Sequence, residues 1–127
     1  MKRFVLFLIL LVGGGVYVRK HYGLRDALAY ARRHPDPELS PKIAYYAGMA
    51  YYLRDRYPEA EEAFTQLLSD YPTSYYAPKA LLRSGTIYTS QNRWAPAREV
   101  YQRYMDEFPE GPDTGIVRTR YEAIKFR

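Results

Sequence analysis

Residues 41–74, PKIAYYAGMAYYLRDRYPEAEEAFTQLLSDYPTS, and residues 78–111, PKALLRSGTIYTSQNRWAPAREVYQRYMDEFPEG, are the same pattern written twice, 37 positions apart. Under that shift Gly48 falls on Gly85, Tyr51 on Tyr88, Ala60 on Ala97, Phe64 on Tyr101 and Pro72 on Pro109. Pro41-Lys42 falls on Pro78-Lys79, and both segments close on an aromatic residue followed by proline. A fixed period in this range marks a stack of similar supersecondary units.

Each segment reads as two helices. Pro41 and Pro78 stand at natural helix starts, where a missing N–H costs nothing. A first helix, A, is expected over about 41–55, and Arg54, Asp55 and Arg56 make a turn. A second helix, B, begins at Pro58, with Glu59, Glu61 and Glu62 in its first turn, where the helix dipole favours anions. In the second unit Gln91, Asn92 and Arg93 make the turn and helix B covers about 95–107. Mid-helix glycine is costly, so Gly48 and Gly85 imply close approach by a neighbouring helix. Leu67, Leu68, Tyr104 and Met105 extend an apolar stripe at helical spacing.

The units extend at both ends. Residues 23–34 align with 60–71 and read as an orphan helix B. Residues 113–126 read as an orphan helix A, capped by Asp113 or Thr114, with Ile116, Val117, Ala123 and Ile124 turned to the stack. Glu122 stands where Gly85 would recur, which suits a terminal unit with a polar outer face. The fold class is therefore all-α: two full helical hairpins with flanking half-repeats over 23–127, behind one apolar N-terminal helix in residues 1–22.

The Gly, Tyr, Ala, Phe/Tyr and Pro positions of both units resemble the tetratricopeptide repeat, although Ala44 and Leu81 stand where the family has an early tryptophan. The link Ser69-Asp-Tyr-Pro-Thr-Ser-Tyr-Tyr-Ala-Pro-Lys-Ala-Leu-Leu82 is similar to that of bacterial envelope members, the Tol–Pal-associated periplasmic protein and the outer-membrane-assembly lipoprotein. This chain has no cysteine to carry a lipid. The resemblance implies a scaffold that binds a protein partner, as a peptide or helix, on a concave face lined by the A helices. It places Lys42, Tyr45, Met49 and Tyr52 there, continued by Lys79, Leu82, Thr86 and Thr89.

Phe4 to Val18 is an uncharged run of 15 residues. As a helix it is about 22 Å long, short against a bilayer core of roughly 30 Å. A membrane anchor, a cleaved signal peptide and a buried core helix all fit such a run. Lys2 and Arg3 before it, and Arg19 and Lys20 after it, favour an anchor whose cations reach the interfaces. Gly13, Gly14 and Gly15 suit either close helix contact in a membrane or a flexible joint. Residues 4–18 are thus expected to hold the chain in the bacterial inner membrane as a single pass. The repeat domain is expected in the periplasm, although the count of flanking cations also allows the cytoplasm.

The net charge of +5 is not spread evenly. Residues 1–34 hold seven Lys/Arg against Asp26, or +6; residues 35–127 hold twelve Lys/Arg against thirteen Asp/Glu, or −1. A nucleic-acid partner is not indicated, because the folded domain lacks the cationic excess. His21 and His34 have no ligand-spaced companions for a metal. No nucleophile–base pair or phosphate-cradling loop is legible. The expectation is a non-enzymatic scaffold without cofactor, or else a structural subunit of a membrane complex held mainly by its N-terminal helix.

Overall fold

The structure is a computed structural model that describes residues 1–21 and 23–127, with side chains described outside 15–22. Its helices are α1 (Lys2–His21), α2 (Leu24–Arg33), α3 (Leu39–Leu53), α4 (Tyr57–Asp70), α5 (Ala77–Ser90), α6 (Trp94–Glu107) and α7 (Thr114–Ile124). Among the described residues there is no strand. From α2 onward each helix packs on the next, and α3 also touches α5.

Helix α3 begins two residues before Pro41, because a local hydrogen-bond box fixes its start. The Asp36 carboxylate accepts from the N–H groups of Glu38 (2.9 Å) and Leu39 (2.8 Å). The same two bonds hold the Asp36 carboxyl below its ordinary pKa. The Asp36 N–H donates to Ser40 Oγ at 2.9 Å, and Ser40 Oγ–H in turn donates to the Ala31 carbonyl at 3.2 Å, tying α3 to the end of α2. Pro58 and Pro78 occupy the second positions of α4 and α5, where no N–H partner is needed. Both A-to-B turns contain one residue in the left-handed region, Asp55 (φ 57°) and Asn92 (φ 56°), which are related by the 37-residue shift. Asp and Asn tolerate that conformation better than other non-glycine residues.

The mid-helix glycines are explained by aromatic rings. A Cβ built on Gly48 would lie 2.6 Å from Phe64 Cε1, and one on Gly85 would be closer still to Tyr101 Cε1. Phe64 and Tyr101 are fully buried. They anchor a continuous core with Leu67, Leu81, Ile87, Tyr104 and Val117. The Tyr101 hydroxyl finds no hydrogen-bond partner among the described residues, whereas the equivalent Phe64 has no hydroxyl to satisfy. An unpaired buried polar group costs about 1–3 kcal/mol. Tyr101→Phe should therefore raise stability by about 1 kcal/mol, or roughly 4–8 °C in Tm for a domain of this size. An unchanged or lower Tm by calorimetry would show that the hydroxyl is satisfied.

The two full units are tied together at a third polar point. Glu61 of α4 accepts from Tyr88 Oη at 3.2 Å and from Arg93 Nη1 at 2.9 Å, and the Arg93 guanidinium lies 4.7 Å from the Tyr88 ring centre. Burial first, and the Glu61 charge second, push the Tyr88 phenol up to about 12.

The ends differ from the sequence expectation in detail. Asp113 takes the N-cap position of α7, but its side chain makes no cap bond. Thr114 Oγ1 instead donates back to the carbonyl of Gly111 at 2.8 Å. Val117 and Ile124 face the stack, whereas Ile116 and Ala123 are exposed. Val117 and Ile124 lie seven residues apart, close to two turns, and the packing on α6 selects that stripe over its neighbour. Glu122 is exposed and pairs with Lys125, giving the last helix a polar outer side.

Along α1, Phe4 to Val12 are 47–68% exposed, so in this structure they are not core. Among the described residues no helix is long and apolar enough to cross a membrane. Arg19, Lys20, His21 and Gly15, to which the sequence assigned interfacial or joint roles, fall outside the described side chains.

Candidate partner-binding face

Helices α3, α5 and α7 lie side by side as the A helices of successive units. The Tyr45 ring of α3 is 5.3 Å from the ring of Tyr76, just before α5. Further along, Arg120 Nη1 of α7 donates to Thr86 Oγ1 of α5 at 2.7 Å. These contacts make one continuous face from three helices.

The eight residues expected on this face divide. Lys42 is exposed, and Met49, Tyr52, Lys79, Thr86 and Thr89 are half-buried. Tyr45 and Leu82 are each only 9% exposed and belong to the core. Tyr45 is enclosed by Phe64 and Tyr76. Tyr52 leans on Tyr57 at the start of α4, with ring centres 5.8 Å apart. Thr89 spends its hydroxyl on the carbonyls of Gly85 and Thr86 in its own helix.

The accessible stripe lies one residue further round. On α3 it is Lys42, Tyr46, Met49 and Leu53; Tyr46 is 56% and Leu53 75% exposed. The 37-residue shift carries this stripe to Lys79, Arg83, Thr86 and Ser90 on α5, then to Ile116, Arg120 and Ala123 on α7. All of these are exposed or half-exposed. The stripe holds four cations and no carboxylate, although residues 35–127 as a whole are net −1. Among the described residues none of the four cations is paired with a carboxylate.

An aromatic cluster borders the cationic stripe. Tyr46 lies 6.0 Å from Tyr76, and Tyr75 5.2 Å from Tyr76, ring centre to ring centre. Lys79 Nζ sits 4.7 Å above the Tyr75 ring. The Tyr75 hydroxyl beside it holds the Lys79 ammonium above its ordinary range, so the charge persists at neutral pH. Tyr46, Arg83 and Arg120 were not singled out from the sequence. The doublets Tyr45-Tyr46 and Tyr75-Tyr76 were the available signal, but they occupy different positions of the repeat and meet only in three dimensions.

The chemistry on this face is recognition rather than turnover. Among the described residues no group of three His, Asp or Glu is placed to hold a metal. Antiparallel helix pairs that stack side by side and present a shared, chemically graded face define a helical-repeat binding scaffold. The model of the tetratricopeptide repeat matches residues 23–75 and 45–112, which together cover most of the chain, so this protein belongs to the tetratricopeptide repeat family. Members of that family serve protein–protein interaction. No curated protein matches the chain.

Proposed function

We propose that the chain is a membrane-attached scaffold that captures an acidic, partly apolar segment of a partner protein on the α3–α5–α7 face. The observation that carries this reading is the segregation of Lys42, Lys79, Arg83 and Arg120 onto one stripe beside Tyr46, Met49 and Tyr75. Complementary charge steers encounter and fixes register, and the tyrosine and methionine supply large contact area at modest entropic cost. The occupant is a peptide or helix, as groove recognition by helical repeats requires.

Attachment is assigned to α1. Its uncharged run is shorter than a bilayer core, so Lys2 and Arg3 must reach the headgroups while the apolar side chains sit in lipid. The seven cations of residues 1–34 suit anionic lipid. The kinship of the 69–82 link to envelope proteins supports a bacterial inner-membrane location, with the repeat domain in the periplasm. A second reading, a structural subunit held mainly by its N-terminal helix, is favoured by one feature: α1 is apolar on every side and so offers a helix-packing surface.

One experiment separates the two. Tagged chain is recovered from detergent-solubilised source cells as wild type, as Lys79→Glu with Arg120→Glu, and as residues 23–127. Each reversed charge is worth on the order of 1 kcal/mol at an exposed site, so the double variant should lose roughly ten- to thirtyfold in partner recovery. The truncated chain should keep the partner but leave the membrane fraction. Recovery that survives the charge reversals and vanishes with the truncation would replace the first reading by the second.

A further inference from the structure

Moved back by 37 residues, α3 falls on residues 2–16, so the apolar run stands at the helix-A position of the unit whose helix B is α2. In the stack, a helix A lies in a trough formed by its own helix B and the next helix A. For α3 the walls are Phe64 on α4, against Gly48, and Tyr76, Ala80 and Ser84 at and along α5. The same shift turns these four into Ala27, Leu39, Ile43 and Ala47. Those residues, with Leu24 and Tyr46, line an open groove of about 350 Å³ between α2 and α3, apolar but for Lys42 at its rim.

We propose that this groove is the docking site of the chain's own residues 4–14, which lie in it as the first unit's helix A whenever α1 is out of lipid. The groove continues the A–A and A–B interfaces of the stack by one unit. Its size also matches this occupant. The full units pair glycine on helix A with a ring on helix B, Gly48 with Phe64 and Gly85 with Tyr101. The equivalent pair in the first unit is Leu11 with Ala27: the bulk has moved from helix B to helix A, and Leu11 supplies the volume that a ring supplies elsewhere. Phe4, Phe7 and Leu8 occupy the other inward positions, and all are exposed in this structure. Residues 15–22, at roughly 3.3–3.6 Å each when extended, have the reach for an antiparallel return. The three consecutive glycines weaken the helix where it must open. The α1 surface thus has two hosts, the groove and the membrane, and docking does not rest on membrane attachment.

The chain has no cysteine, so an introduced pair is free of background. Full-length Leu11→Cys with Ala27→Cys, diluted into detergent-free buffer under mild oxidant, should form a monomeric disulfide. Ile9→Cys with Ala27→Cys is the control, since Ile9 corresponds to the outward Tyr46. The first pair should close at least roughly tenfold faster, because the bond requires Cβ atoms about 3.8 Å apart. Vesicles rich in phosphatidylglycerol should suppress it. Closure that vesicles leave untouched would keep the docking and count against membrane attachment. Equal rates for the two pairs, or disulfide-linked dimers in place of monomer, would overturn the proposal. As a second measurement, Ala27→Phe fills the place of Leu11, so amide exchange over residues 4–12 in detergent-free buffer should quicken by at least roughly tenfold; no change there would also overturn it.

Discussion

Phe64→Ala should lower the unfolding free energy by about 3–5 kcal/mol, the range found when a fully buried aromatic side chain is truncated. Phe64 has no exposed surface, fills the space above Gly48 and lies 6.0 Å from the Tyr45 ring. Its neighbours cannot close the gap, because α3 is held at both ends, by Ser40 bonded to Ala31 and by the α3–α4 turn at Asp55. Single domains are stable by only ~5–15 kcal/mol, so the loss takes a third or more of the total. Urea denaturation reads it as a lower midpoint with an unchanged slope. A loss below about 1 kcal/mol would mean that the first repeat collapses around the space and that the glycine–ring pair is not its keystone.

Gly85→Ala is the second large effect, and its sign depends on Tyr101. Alanine is favoured over glycine in a helix interior by roughly 0.5–1 kcal/mol. Here the new methyl would meet the buried Tyr101 ring at a distance that no real contact shows. Overpacking of this kind costs about 1–3 kcal/mol, so the substitution should destabilise. In a Tyr101→Ala background the ring is gone, and the same change should become stabilising by up to about 1 kcal/mol. The two sites are in contact, so their effects must fail to add. An additive double-mutant cycle would mean that the methyl and the ring do not compete for the same space.

Much of the architecture could be read from the chain before any coordinates. The glycine–ring coincidence at 48/64 and 85/101 reports a contact in which two positions constrain each other, and a 37-residue repeat of that coincidence leaves few alternatives to stacked hairpins. The turns were legible for a similar reason, since Asp55 and Asn92 are residue types that accept a left-handed backbone. Helix starts were less so: the Asp36–Ser40 box, made of residues ahead of Pro41, begins α3 earlier than proline placement suggests.

The binding face was legible only in outline. The helices that form it follow from the order of the repeat, and Lys42, Met49, Lys79 and Thr86 were assigned to it correctly as accessible positions. Tyr45 and Leu82 were not, and Tyr46 and Arg83, one residue further on, were missed. A step of one residue turns a helix by about 100°, enough to move a side chain from solvent to core. Periodicity fixes which residues share a stripe, not which of two adjacent stripes faces outward.

By itself, then, the sequence determined the repeat, its period, the helix pairs and the rings that lock them, because those depend on neighbours within one unit. The tertiary structure alone decided the rotation of each A helix, and with it the gathering of Lys42, Lys79, Arg83 and Arg120 beside Tyr46. That rotation is set by packing on two other helices at once, one from the same unit and one from the next, and no single stretch of chain contains both.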